Sequence, residues 1–187
     1  MRPALKNHLF VSISIFVVVF GYWLISQQNF IQYIYLFFGL LLGTFFLDID
    51  HIIFWLYLKP DLDESRLAKK IIKNKDYKSI LILFKTTHHH HNNLIFHHYF
   101  FQIALVLISF FVFTSSTNVF AMSFLLTLNT HLLVDEISDY QTNPKHLQNW
   151  LFARENKQLS TDNLKYYLGT FIVVTFLFLI SLLRFKI

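Results

Sequence analysis

FIQYIYLFFGLLLGTFFLDIDH, from Phe30 to His51, carries no charge until Asp48 and then sets Asp48, Asp50 and His51 close together. An apolar run of roughly 20 residues is what a helix needs to cross the hydrocarbon core of a bilayer. Ionisable groups at the end of such a run are costly to desolvate unless they pair, bind metal or reach water. The stretch therefore reads as a membrane helix that delivers polar chemistry to one interface.

The same pattern recurs along the chain. Apolar segments at 9–25, 30–47, 94–113, 119–134 and 166–183 predict an all-α, polytopic transmembrane helical bundle of about five spans in a single integral membrane domain, 1–187. Over the whole chain 55% of residues are hydrophobic, with 23 Phe, and only 14% are charged. Soluble domains carry about a quarter of charged residues. Arg2 and Lys6 precede the first apolar segment, but no small-x-small cleavage site follows Ser26, so the segment is expected to be a retained span and not a removed signal. Cysteine is absent, which excludes disulfides and thiolate metal sites and leaves imidazole and carboxylate as the available ligands.

The loops predict the orientation. Between 59 and 85 lie Lys59, Arg66, Lys69, Lys70, Lys73, Lys75, Lys78 and Lys85, and beyond Asp135 lie Lys145, Arg154, Lys157 and Lys165, whereas 27–29 and 114–118 carry no charge. Positive residues favour the cytoplasmic side, so the N-terminus and both basic segments are expected there. Arg184 and Lys186 then fall outside, against the trend. Within the 59–85 loop, Leu67, Ala68, Ile71 and Ile72 recur at helical spacing among lysines, the pattern of an amphipathic helix on the membrane surface. The net charge of +5 thus points to anionic lipid head groups; no nucleic acid is expected, because the cations are not interleaved with aromatics along a soluble face.

This topology places His8, the Asp48–His51 quartet, His97, His98, His131 and Asp135 in one layer at the cytoplasmic interface. Loop charge and ligand placement are independent readings, and they agree. His131 and Asp135 are four apart and share a helix face, with Glu136 and Asp139 in the next turn. Asp48 and His51 share a face, with Asp50 on the other side unless the helix breaks. In the tract His88 to His91, the last residue stands out, because a turn between His91 and His97 can bring both onto one ion; His98 is the alternative to His97. Imidazole and carboxylate together suit a divalent metal, zinc first and manganese or iron as alternatives. So many candidate ligands imply two metals, or one metal with supporting residues. Such a site activates water and neutralises developing negative charge, as phosphoester hydrolysis requires.

Gly39 and Gly43 form a small-xxx-small pair that allows close helix packing. His8, then Gly43 leading into Asp48-Ile49-Asp50-His51, then His91 to His97, then His131-Leu-Leu-Val-Asp135, resemble the membrane-bound metal-dependent hydrolase family typified by a LexA-regulated bacterial inner-membrane protein. The resemblance runs from residue 8 to about 152, where Asn149-Trp150-Leu151-Phe152 is similar to the family's closing segment. Leu47 stands where the family has Pro and Asn92 where it has Arg, and the His91–His97 spacing is one longer than the common form. The resemblance implies a hydrolase, distantly similar to zinc-dependent phospholipase C, with Asp48, Asp50, His51, His91, His97, His131 and Asp135 as metal ligands and His8 or Glu136 as supporting residue or proton carrier. The expected activity is hydrolysis of a phosphoester or lipid-linked substrate at the membrane interface. A metal or proton transporter, or a membrane protein whose metal only ties helices together, are the alternatives.

Overall fold

In a computed structural model, residues 4–87, 91, 93–155 and 159–185 are described, and all regular structure among them is helical. The helices are α1 (Ala4–Ile25), α2 (Phe30–Phe46), α3 (Ile49–Ile53), α4 (Asp63–Lys73), α5 (Tyr77–Thr87), α6 (Tyr99–Ser115), α7 (Val119–Thr142), α8 (Pro144–Leu151) and α9 (Thr161–Leu183). Short polar residues in the loops start several of them. The side chains of Asn29, Asn118, Asn143 and Ser160 accept backbone N–H groups in the first turns of α2, α7, α8 and α9. Pro144 follows Asn143 at the start of α8, where its missing N–H costs nothing.

Three helical stretches are long and apolar enough to cross a membrane: Lys6–Ile25, Phe30–Leu58 and Thr161–Leu183. The second settles how far the Phe30 run extends. α2 passes through a turn at Leu47 and Asp48 into α3, and then into a π-helical turn, Phe54–Leu58, closed by Lys59 N donating to the Phe54 carbonyl at 2.9 Å.

The other two expected spans come out differently. α6 is apolar but shorter, and it starts at Tyr99 instead of Leu94, because the residues before it form turns that His98 ends by capping the helix. α7 packs against α1, α2, α6, α8 and α9 and is the centre of the molecule. Its Ser123, Thr127, Asn129, His131, Asp135, Glu136 and Asp139 are all buried against those neighbours, which removes the need for a uniformly apolar surface.

The tightest helix pair is α2 with α7. A Cβ added at Gly43 would lie 2.7 Å from Thr127 Cβ and 2.9 Å from the Phe124 carbonyl oxygen, and one added at Gly39 would collide with Ser123 Oγ. The small-xxx-small pair is thus the seam along which α2 reaches α7. Away from the seam, α1, α2, α6 and α9 turn large apolar side chains outward, among them Phe10, Val17, Phe38, Leu107, Phe111 and Phe176. Such surface is unfavourable in water and costs nothing against hydrocarbon.

The basic loop contains two helices instead of the one anticipated. α4 buries Ala68 against Phe54, Trp55, Leu83 and Leu94, while Leu67 and Ile72 stay exposed, so part of its apolar stripe covers the α3 end of the fold.

Candidate metal centre

The polar half of α7 meets α1, the α2–α3 turn and the segment before α6 at one end of the bundle. His131 anchors the arrangement. Its Nδ1 lies 2.9 Å from the Thr44 carbonyl oxygen, which can only accept, so Nδ1 carries a proton, and a neutral ring would leave Nε2 its lone pair. That Nε2 lies 3.4 Å from Asp135 Oδ2 and 3.7 Å from Asp48 Oδ1. A lone pair facing carboxylate oxygens is repulsive unless a proton or a cation lies between them. The Thr44 contact is also the kind of outer hydrogen bond that orients a ligating imidazole.

His8 completes the group from α1. Its ring stacks on that of His131, with centroids 3.9 Å apart and planes within 8°, and its Nε2 lies 3.0 Å from Asp135 Oδ1 without the angle of a hydrogen bond. His8, His131 and Asp135 are buried, and one potential ligand atom from each falls within 4.8 Å of the others. The expectation of His8 as a supporting residue changes accordingly: it stands among the candidate ligands. Two further groups border the triad. His97 bridges Asp135 Oδ2, 3.6 Å from its Nε2, and Asp50 Oδ2, 3.3 Å from its Nδ1.

Asp50 does not point away, because the helix breaks at Leu47 and Asp48 before restarting as α3. Its carboxylate also accepts the backbone N–H of Phe96 and so ties α3 to the turn before α6. His51 faces the opposite flank, where its Nδ1 is 2.6 Å from His91 Nδ1, and His91 Nε2 is 3.3 Å from Glu64 Oε1 on α4. The His51 ring still touches that of His97, at 5.7 Å between centroids, so the two flanks are continuous.

The structure thus gathers Asp48, Asp50, His51, His91, His97, His131 and Asp135 with His8. It separates His98, whose ring caps α6 by accepting Phe100 N–H at 3.3 Å. His88, His89, His90 and Asn92 lie outside the described residues. Glu136 is fully buried; its side chain pairs with that of Gln102 and neighbours Asp135 and His97.

Sequence reasoning missed Glu64 and Trp150. Glu64 resembles any acid in the first turn of a basic helix, so only the fold reveals its reach to His91. Trp150 packs against His97 and donates to Asp139 Oδ2 at 2.7 Å, while His146 Nε2 lies 3.5 Å from the same oxygen.

The donor set fits a divalent metal: imidazole and carboxylate, buried, with ligand atoms within reach of one another. His8, His131 and Asp135 offer two imidazoles and one carboxylate, with Asp48 and His97 beside them. No family model, curated protein or solved structure matches the chain.

Proposed function

We propose that this chain is a membrane-embedded, metal-dependent hydrolase acting on a phosphoester or lipid-linked substrate, a divergent member of the membrane-bound hydrolase family it resembles. The observation that carries the reading is His131, with Nδ1 committed to the Thr44 carbonyl and a buried Nε2 directed at Asp135 and Asp48. His8, His131 and Asp135, with Asp48 and His97 beside them, would hold the ion, zinc first. The chemistry that a metal held by these residues would supply is a more acidic water and stabilisation of the negative charge that develops on the phosphoryl oxygens. The protein's own groups exclude bulk water from the site and fix the imidazoles, and Glu136 supplies a buried carboxylate beside Asp135 for a proton.

On this reading α6 and α7 cross the bilayer together with the three long apolar stretches, giving five spans in a bacterial inner membrane. The basic segments, α4 and α5 included, lie at the cytoplasmic face beside anionic head groups, and the site opens at that depth.

Purified protein loaded with zinc, manganese or iron and offered phospholipid and lipid-phosphate substrates in mixed micelles tests the proposal. Release of phosphate or a phosphorylated head group, abolished in His131→Ala, is the expected result. Hydrolysis absent with every metal and substrate, while metal stays bound, would leave a site that only joins helices.

A further inference from the structure

One surface feature connects the bilayer to the site. Between α6 and α9 runs a groove of about 300 Å³ lined by Gln102, Ile103, Val106, Leu107, Phe171 and Val174, with Tyr167 and Thr170 along its edge. Almost all of its wall is apolar, and Ile103 and Leu107 at its mouth are among the outward-facing side chains of the bundle. Its polar end is different. Gln102 is 3% exposed; its amide nitrogen serves Glu136, while its amide oxygen and the buried hydroxyl of Tyr167 have no hydrogen-bond partner among the described residues. Both neighbour Glu136, which in turn neighbours Asp135 and His97.

Buried polar atoms are satisfied in the great majority of cases, so a set left open at one end of a groove marks groups reserved for a ligand. Gln102 and Tyr167 sit near the first turns of α6 and α9, at the level of the candidate metal centre, while Leu107 and Val174 lie farther along the same helices. At 1.5 Å per residue the apolar part extends about 7 to 10 Å beyond the polar part. That is the layout for an amphiphile: a polar linkage at the site end and a hydrocarbon tail along the groove.

Resting on the hydrolase reading, we propose that this groove receives one acyl chain of a bilayer glycerolipid from the side, with Gln102 and Tyr167 hydrogen-bonding its ester linkage or a head-group hydroxyl next to the metal centre. The occupant is a lipid and not a helix of another protein, because the groove is narrow, opens on a face lined by exposed apolar residues, and ends on donors and acceptors that a packed apolar helix would leave unsatisfied.

The test uses the full chain in nanodiscs containing phosphatidylglycerol with a photoactivatable diazirine in its acyl chain, read by peptide mass spectrometry. Labelling at Ile103 and Leu107 should exceed by several-fold that at Val17 and Val18, comparably exposed on the outer face of α1. Val106→Trp should remove the excess by filling the groove. Gln102→Leu should lower it by deleting the open amide oxygen at the groove's polar end. Labelling spread evenly over α1, α6 and α9 in the unsubstituted protein would overturn the proposal without recourse to any variant, as would an excess that survives both substitutions. Metal binding measured in parallel separates the two readings. A groove that labels in a protein that takes up no metal sinks the hydrolase and keeps the lipid site; even labelling in a metal-loaded protein does the reverse.

Discussion

The two ends of this bundle are built from the same helices and obey opposite rules. At the end away from the site, Ile15, Val19, Trp23, Leu36, Leu40, Val119, Met122, Leu126, Phe178 and Leu182 form an apolar core, and two polar side chains at its rim are satisfied: Trp23 Nε1 donates to the Leu183 carbonyl at 3.3 Å and Gln28 Nε2 to the Phe185 carbonyl at 2.8 Å. At the other end, His8, Asp50, His97, His131 and Glu136 are as deeply buried, and some of the ligand-type atoms there are left open. Helix α7 crosses from one regime to the other, mostly apolar over its first turns and rich in ionisable groups from His131 to Asp139. Since a buried unsatisfied group costs about 1–3 kcal/mol, the second end is held at an expense in stability that the first does not carry. A fold keeps such an end where something other than stability depends on it.

The seam between α2 and α7 supports both ends, and breaking it should have the largest effect. Gly43→Val places a branched side chain against the Phe124 carbonyl and Thr127, where the backbone cannot yield, and should cost at least ~1–3 kcal/mol. A fall in melting temperature together with loss of metal is expected, because Thr44, the next residue, orients His131. Next comes a change that should strike the site alone. Asp50→Asn keeps the shape and removes a buried charge beside His97; metal affinity should drop by about 10–100-fold while thermal stability holds or rises. If stability fell instead and metal binding did not, the carboxylate would be structural.

Trp23→Phe makes the mirror-image experiment at the apolar end. It removes the bond to the Leu183 carbonyl and should lower stability by about 1 kcal/mol with metal content unaltered, as read by calorimetry beside elemental analysis. The smallest effect belongs to a carboxylate in water. Ser79 donates its hydroxyl, at 2.6 Å, and its backbone N–H, at 3.1 Å, to Asp76 at the start of α5, holding that carboxyl below the ordinary 3.8 of an aspartate. A depressed value in the folded state means the contribution is present above the unfolded value and lost as pH falls through the folded one. Hydrogen exchange in α5 should therefore rise in acid in the native protein and show no such step in Asp76→Asn.

How far the sequence foretells this arrangement depends on the residue. The charge-free run ending at Asp48 marks α2 because length and hydropathy are local properties, and α1 and α9 follow for the same reason. Helix α7 is legible through His131 and Asp135, four apart, but its central position is not, since burial by neighbours depends on contacts no single segment contains. The start of α6 is misplaced by several residues because Leu94 to Phe96 are apolar yet form turns, held by the Asp50 carboxylate through the Phe96 amide. Helical spacing at Leu67 to Ile72 discloses α4, whereas its use as a cover for Phe54 and Trp55, and the reach of Glu64 to His91, arise only when the chain folds back. Histidine identity divides likewise: His97 and His98 are equivalent on paper, and the helix start decides between them by making one a cap.

The most direct measurement of the central claim is the metal content of the detergent-purified protein by elemental mass spectrometry, beside the double variant His131→Ala/Asp135→Ala. The account predicts stoichiometric zinc, manganese or iron in the native protein and none in the variant. A native protein that holds no metal even after reconstitution, or a variant that holds as much, would contradict it.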